Sequence, residues 1–282
     1  MSTLTKSIHR HALNTLKRKI NFFDVSLRDG LQSQKKIYTF QEKKSMLFHI
    51  INSYNPRSIE LGSLVSSNVL PQMEQSMDLY QYAEKLKVPT DFYLLVPNQN
   101  KLDEAIKHKV KNISFISSFS NSFQEKNIKK SLEETKNSLL KINEKVKENT
   151  HIKKTKLYLS CFNNCPIENN IKDDIIYEQL LFYEKYTDFN ELCLSDTTGN
   201  LSLTDFKRLI KNIKSIVNPK KLSLHLHYND KNKDITKNII EHALNENIFN
   251  LDVSCIEGGG CSVTMNTNEL KKNLSYKLIN EI

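Results

Sequence analysis

His225 and His227 flank a single leucine in the alternating run of residues 221–227, Lys-Leu-Ser-Leu-His-Leu-His. Alternation of this kind reads as a β-strand, where residues two apart project from the same face. Two imidazoles pointing the same way are what two ligands of one metal ion require. A second β-rich run, residues 22–27, leads into Arg28-Asp-Gly-Leu-Gln32, placing a cation and a carboxylate at a strand end. If the two strand ends adjoin, Asp29, His225 and His227 form a metal site with Arg28 beside it. Two imidazoles and one carboxylate leave positions open for substrate oxygens. The set suits Mg²⁺ or Mn²⁺ if further oxygens join, and Zn²⁺ or Fe²⁺ otherwise.

Other polar groups stand at strand ends. Glu60 lies inside the apolar run Ile59-Glu-Leu-Gly-Ser63, and a carboxylate there is costly to bury unless paired. Arg28 is its natural partner; the pair is either a buried ion pair alone or one that also aims the guanidinium at developing negative charge. Asp196, in Ser195-Asp-Thr-Thr-Gly199, either caps the following helix or faces a pocket. Glu257-Gly-Gly-Gly-Cys261 is a loop able to carry a thiol toward a site, or a plain flexible loop. The other four cysteines, 161, 165, 193 and 255, do not carry zinc-site spacing, because no second pair accompanies Cys161 and Cys165.

These groups need a frame. Apolar β-rich runs recur eight times, at residues 22–27, 58–63, 91–96, 112–117, 156–161, 191–195, 221–227 and 250–256. Charged segments of helical periodicity separate them, among them 41–51, 102–109, 128–147, 204–216 and 235–245. Eight strand–helix units without a linker predict an α/β protein, a single-domain (β/α)₈ TIM barrel. Residues 1–19 form a basic N-terminal segment and residues 20–282 the barrel domain. No dinucleotide fingerprint follows the first strand, which disfavours an open doubly wound sheet. All six glycines fall in or just after a predicted strand, at the rim where barrel enzymes carry their sites.

Composition agrees with a soluble globular chain: of 282 residues, 38% are hydrophobic and 26% charged. No apolar run approaches the roughly 20 residues of a membrane span. The net charge of +9 comes from lysines dispersed over helical segments, so neither nucleic acid nor a membrane is an expected partner. An odd number of cysteines in a chain this large fits a reducing compartment. A cytoplasmic location is expected; the basic, acid-free stretch before Asp24 is the feature that would make it mitochondrial.

On these motifs the chain resembles hydroxymethylglutaryl-CoA lyase, within the metal-dependent lyase, Claisen-condensing and pyruvate-carboxyltransferase-like barrels. The matching segments, in order, are Arg28-Asp-Gly-Leu-Gln32, Glu60 with Ser63-Leu-Val-Ser66 and Pro71-Gln-Met73, Val96-Pro-Asn98, Tyr158-Leu-Ser-Cys161 with Cys165-Pro166, Ser195-Asp-Thr197 with Gly199, His225-Leu-His227, and the Gly259-Gly-Cys261 loop. The resemblance implies a divalent cation held by Asp29, His225, His227 and an asparagine after the cysteine loop. It implies retro-Claisen cleavage of a 3-hydroxyacyl thioester to acetyl-CoA and acetoacetate. His225 or Asp29 would take the hydroxyl proton, Arg28 braced by Glu60 would stabilise the enolate, and Cys261 would protonate it. Gln32, Ser63 and Asp196 would line the site, and Lys35 would meet anionic substrate groups. Reading the loop beyond Cys261 as shorter than in the lyases places the asparagine at Asn266, with Asn268 as its alternative. Tyr228 stands where the family has Asp, Glu257 stands where a carboxylate is unexpected, and the C-terminal region after Cys261 is short, which bears on how the acyl-CoA site is covered. A homodimer is expected. The rival functions are a condensing or aldol enzyme acting on pyruvate or another 2-oxo acid, and a catalytically silent barrel used for binding.

Overall fold

The computed structural model describes residues 13–259 and 271–282. Strands β1 (Asn21–Asp24), β2 (Ser58–Ser63), β3 (Asp91–Leu95), β4 (Asn112–Ser118) and β5 (Lys154–Ser160) pair in sequence order, each parallel to the next. A two-stranded antiparallel hairpin, β6 (Asn164–Cys165) and β7 (Asn169–Asn170), interrupts the series. It resumes with β8 (Glu191–Asp196), β9 (Leu222–Tyr228) and β10 (Asn250–Val253). Because β10 pairs with both β9 and β1, the sheet closes into an eight-stranded parallel barrel. One further short strand, β11 (Lys272–Asn273), runs antiparallel to the end of β9.

The helices between the strands are α1 (Phe40–Tyr54), α2 (Ser76–Ala83), α3 (Gln99–Lys107), α4 (Asn121–Ile128), α5 (Leu132–Glu148), α6 (Asp173–Tyr186), α7 (Leu203–Ile216) and α8 (Lys233–Asn245), with α9 (Tyr276–Asn280) after β11. Their starts are written locally. Thr39 and Ser131 form capping boxes with Glu42 and Glu134, and Asn98, Ser120 and Ser202 each accept a backbone N–H of the first turn. Helix α7 buries Phe206, Leu209, Ile210 and Ile213, the stripe a helix lays on a sheet. The main core lies between helices and barrel wall. Inside the barrel are two small separate clusters, Phe23 with Val25 and Tyr93, and Leu95 with Tyr158 and Cys193.

Among the elements that differ from the expectation, the strand predicted over 250–256 ends at Val253. The strand predicted over 22–27 ends at Asp24, because Ser26 N–H turns back to Asp24 Oδ1 at 2.8 Å and the chain enters a single π-helical turn, Ser26–Gly30. The helix predicted over 128–147 begins at Leu132. Lys129, with φ of 61°, ends α4 in the left-handed region, and the Ser131 cap starts a new helix. Left-handed turns after helices fall on residues such as Asn55 and Asn247. Among the described glycines, the two in that region, Gly62 and Gly199, lie in or after strands.

Candidate active site

The π-helical turn after β1 delivers Arg28 and Asp29 to the C-terminal mouth of the barrel, and both are buried. Barrel closure brings them against β9, where successive inward positions carry His225 and His227. Asp29 Oδ2 lies 3.8 Å from His225 Nε2 and 3.7 Å from His227 Nε2. One donor atom from each of the three residues falls within 4.8 Å of the others. Strand β11 adds a fourth polar group. Its register sets Asn273 opposite His227, and Asn273 Nδ2 donates to Asp29 Oδ2 and to the Gly258 carbonyl, each at 2.8 Å.

The orientation of these groups fits a cation. His227 Nδ1 lies 2.9 Å from the Asp196 carbonyl, which can only accept, so in the neutral ring the proton sits on Nδ1 and Nε2 carries the lone pair. That Nε2 is buried without a partner, and so is Asn273 Oδ1. Buried lone pairs beside a carboxylate are costly unless something positive meets them. Hard oxygen donors with two imidazoles suit a divalent first-row ion or Mg²⁺.

Burial would raise the Asp29 carboxyl, but the Arg28 guanidinium and the two imidazoles hold it far below the ordinary carboxylate range. Burial also opposes charge on His227, yet Asp29 and the Asp196 carbonyl raise its pKa. His225 is lowered, burial outweighing Asp252 and Asp29.

Arg28 is fixed on three sides. Its Nε donates to Glu60 Oε2 and its Nη1 to Asp29 Oδ1, both at 2.5 Å, and its Cζ lies 5.0 Å from the Tyr158 ring centroid. Glu60 is fully buried and also accepts from Ser114 Oγ and, at 3.1 Å, from the Tyr158 hydroxyl. Both oxygens of this buried carboxylate are thus engaged, and Arg28 also lines the cavity. The cavity, about 180 Å³, is lined on its polar side by Arg28, Asp29, Gln32, Ser63, His225 and His227, and on the other by apolar residues including Leu95, Ile116 and Phe123.

The structure therefore brings Arg28, Asp29, Glu60, His225 and His227 together, with Gln32 and Ser63 in the cavity wall. Asp196 is a correction to the pocket-facing expectation. Its carboxylate turns away to accept Asn200 N–H at 3.2 Å and Leu201 N–H at 3.1 Å, capping the loop, and only its backbone carbonyl serves the site. Lys35 is exposed and lies outside the cavity lining. Cys261, Asn266 and Asn268 lie outside the described residues. Among the described residues the asparagine beside Asp29 is Asn273, which local sequence did not single out; its place comes from pairing with β9. Tyr158 and Ser114 were missed as partners of Glu60, and so was Asp252, whose Oδ2 lies 3.1 Å from His225 Nδ1. A charged residue inside an apolar strand, the signal that marked Glu60, was present at Asp252.

The HMGL-like family model matches residues 19–241. A 3-hydroxy-3-isohexenylglutaryl-CoA/hydroxymethylglutaryl-CoA lyase of Pseudomonas aeruginosa is 26% identical over 252 residues, covering 87% of this chain and 79% of its own. The crystal structure of Bacillus subtilis HMG-CoA lyase superposes with a TM-score of 0.82 at 22% identity, over 93% of this chain and 84% of that one. An Acinetobacter baumannii HMG-CoA lyase solved with coenzyme A and 3-methylmalate gives 0.81 at 20% identity, over 93% and 82%.

Proposed function

Since the chain belongs to the HMGL-like family, we propose that it is a divalent-cation-dependent carbon–carbon lyase acting on 3-hydroxy-3-methylglutaryl-CoA or a close 3-hydroxyacyl thioester. The observation that carries this reading is the convergence of Asp29, His225 and His227 within 4.8 Å, directly beside a guanidinium clamped by Glu60. Those three residues, with Asn273, would hold the cation, and a cation there would supply Lewis acidity toward a substrate hydroxyl. The tertiary hydroxyl gives its proton to a base, His225 or Asp29, the C2–C3 bond breaks, and its electron pair passes to C2. C3 leaves as the ketone of acetoacetate. The thioester enolate that remains carries its negative charge on oxygen, where Arg28 stabilises it; Glu60 and Tyr158 keep the guanidinium in place at no reorganisation cost. Cys261 then delivers a proton to C2, completing acetyl-CoA, and its thiolate recovers the proton that the base took from the hydroxyl. Gln32 and Ser63 orient the acyl group.

Acetoacetate release from 3-hydroxy-3-methylglutaryl-CoA tests the proposal, using purified protein with Mg²⁺ or Mn²⁺, a chelated control and Cys261→Ala. Cation-dependent product that collapses in the variant is expected. No product from protein that binds the cation would rule out this substrate.

A further inference from the structure

Below the histidine layer the barrel interior holds an ion pair for which the cleavage chemistry has no direct use. Lys156, on β5, is 1% exposed, and its Nζ donates to Asp252 Oδ1, lies 2.8 Å from Glu191 Oε1 and stands 3.8 Å from the Phe23 ring centroid. Asp252, on β10, is likewise buried, and its other oxygen, Oδ2, meets His225 Nδ1 at 3.1 Å. Barrel interiors are ordinarily filled by branched aliphatic side chains, and a buried ion pair contributes little net stability over well-packed apolar residues. Filling space therefore does not explain a lysine and an aspartate here. Their arrangement does direct something. The ammonium occupies one carboxylate oxygen, leaving the other to accept from His225 Nδ1. A carboxylate can only accept, so the imidazole proton is held on Nδ1 and bare Nε2 is turned toward Asp29. His227 reaches the same state by a different route, through the backbone carbonyl of Asp196.

We infer that Lys156 is a positioning residue which, through Asp252, fixes the tautomer and orientation of His225. Its consequence for metal affinity rests on the metal-centre reading above; its effect on the tautomer does not.

Two readouts separate these. The first is the ¹⁵N NMR signature of the His225 ring in metal-free protein, assigned against His225→Gln. The second is equilibrium Mn²⁺ affinity. The variants are Lys156→Met, Lys156→Arg and Asp252→Asn, the last keeping shape if Lys156→Met does not fold. The expected result is an Nδ1–H tautomer in the wild-type protein and in Lys156→Arg. In Lys156→Met and Asp252→Asn the population moves toward Nε2–H, and Mn²⁺ binds about 10–100-fold more weakly. An Nε2–H tautomer in the wild-type protein, no change of tautomer in the two disruptive variants, or an arginine variant as perturbed as the methionine one would overturn the inference. A tautomer shift in protein that binds no Mn²⁺ at all would sink the metal centre and leave the positioning role standing. A shift with unchanged Mn²⁺ affinity would remove the link to the metal.

Discussion

Arg28 combines two properties that are difficult to keep in one residue, since it is almost wholly buried and still presents charge to a cavity. The two carboxylates beside it and the Tyr158 face offset the cost of burial. Lysine has one point charge in place of the planar fork, so it loses the fixed geometry by which Arg28 holds Glu60 and Asp29 while lining the cavity. Arg28→Lys is therefore expected to lower kcat by about 10²–10³-fold, with the fold intact by circular dichroism; a variant retaining full kcat would remove Arg28 from the chemistry. Asp24 gives the fold a pH dependence of its own. Burial pushes its carboxyl up to about 6, although bonds from Ser26 and Tyr276 pull the other way. Its folded pKa thus lies above the value of 3.8 for a free side chain. The stabilisation this represents is present at pH below 3.8 and is lost as pH rises through about 6. Its loss is worth about 3 kcal/mol. Urea unfolding from pH 4 to 7 should show wild-type stability falling relative to Asp24→Asn by about 2 kcal/mol of this. Parallel curves would contradict it.

Among the elements, β2 makes the tightest geometric demand. Its pairing with β3 shifts register between Glu60 and Ser63, and Gly62 sits there with φ of 154°. A Cβ on Gly62 would come within 2.1 Å of Ser76 Oγ, a hydroxyl already bonded to the Met73 carbonyl at 2.6 Å and to Ser63 N–H at 3.2 Å. The irregularity lets Glu60 point into the barrel while Ser63 still reaches the cavity. Gly62→Ala is expected to cost about 1–3 kcal/mol in urea unfolding; a neutral substitution would mean that β2 and α2 can separate freely. Much at this scale was legible. The period-two run of 221–227 placed both imidazoles on one face, and a lone carboxylate in an apolar strand marked Glu60 for pairing. The early end of β1 was not legible, because it depends on the Asp24 side chain capturing Ser26 N–H rather than on hydrophobic alternation.

For the molecule as a whole, a ligand that binds only the folded chain stabilises all of it. Mn²⁺ at 100 times its dissociation constant should add about 2.7 kcal/mol to unfolding, raising Tm by several degrees. Asp29→Ala should show no such gain. A wild-type Tm unmoved by Mn²⁺ or Mg²⁺ would exclude the metal centre. Among the described residues no helix is long and apolar enough to cross a membrane, and many lysines are engaged in surface ion pairs such as Lys145 with Asp103 and Lys221 with Glu184. This agrees with reading the positive charge as dispersed.

The eight strand–helix units, the shared face of His225 and His227, and the Arg28–Glu60 partnership can be read from residue pattern alone. Each is encoded within one strand or follows from the order of neighbouring parallel strands. It took the folded chain to turn the Asp196 carboxylate into its own loop, to set Asn273 against Asp29, and to bring Lys156 to Asp252 beneath His225. The last two contacts join residues 244 and 96 positions apart, and the first sets one hydrogen-bonding option against another. Periodicity tells which face a side chain takes, whereas the partner on that face is fixed only when β10 closes on β1 and the long-range register is set.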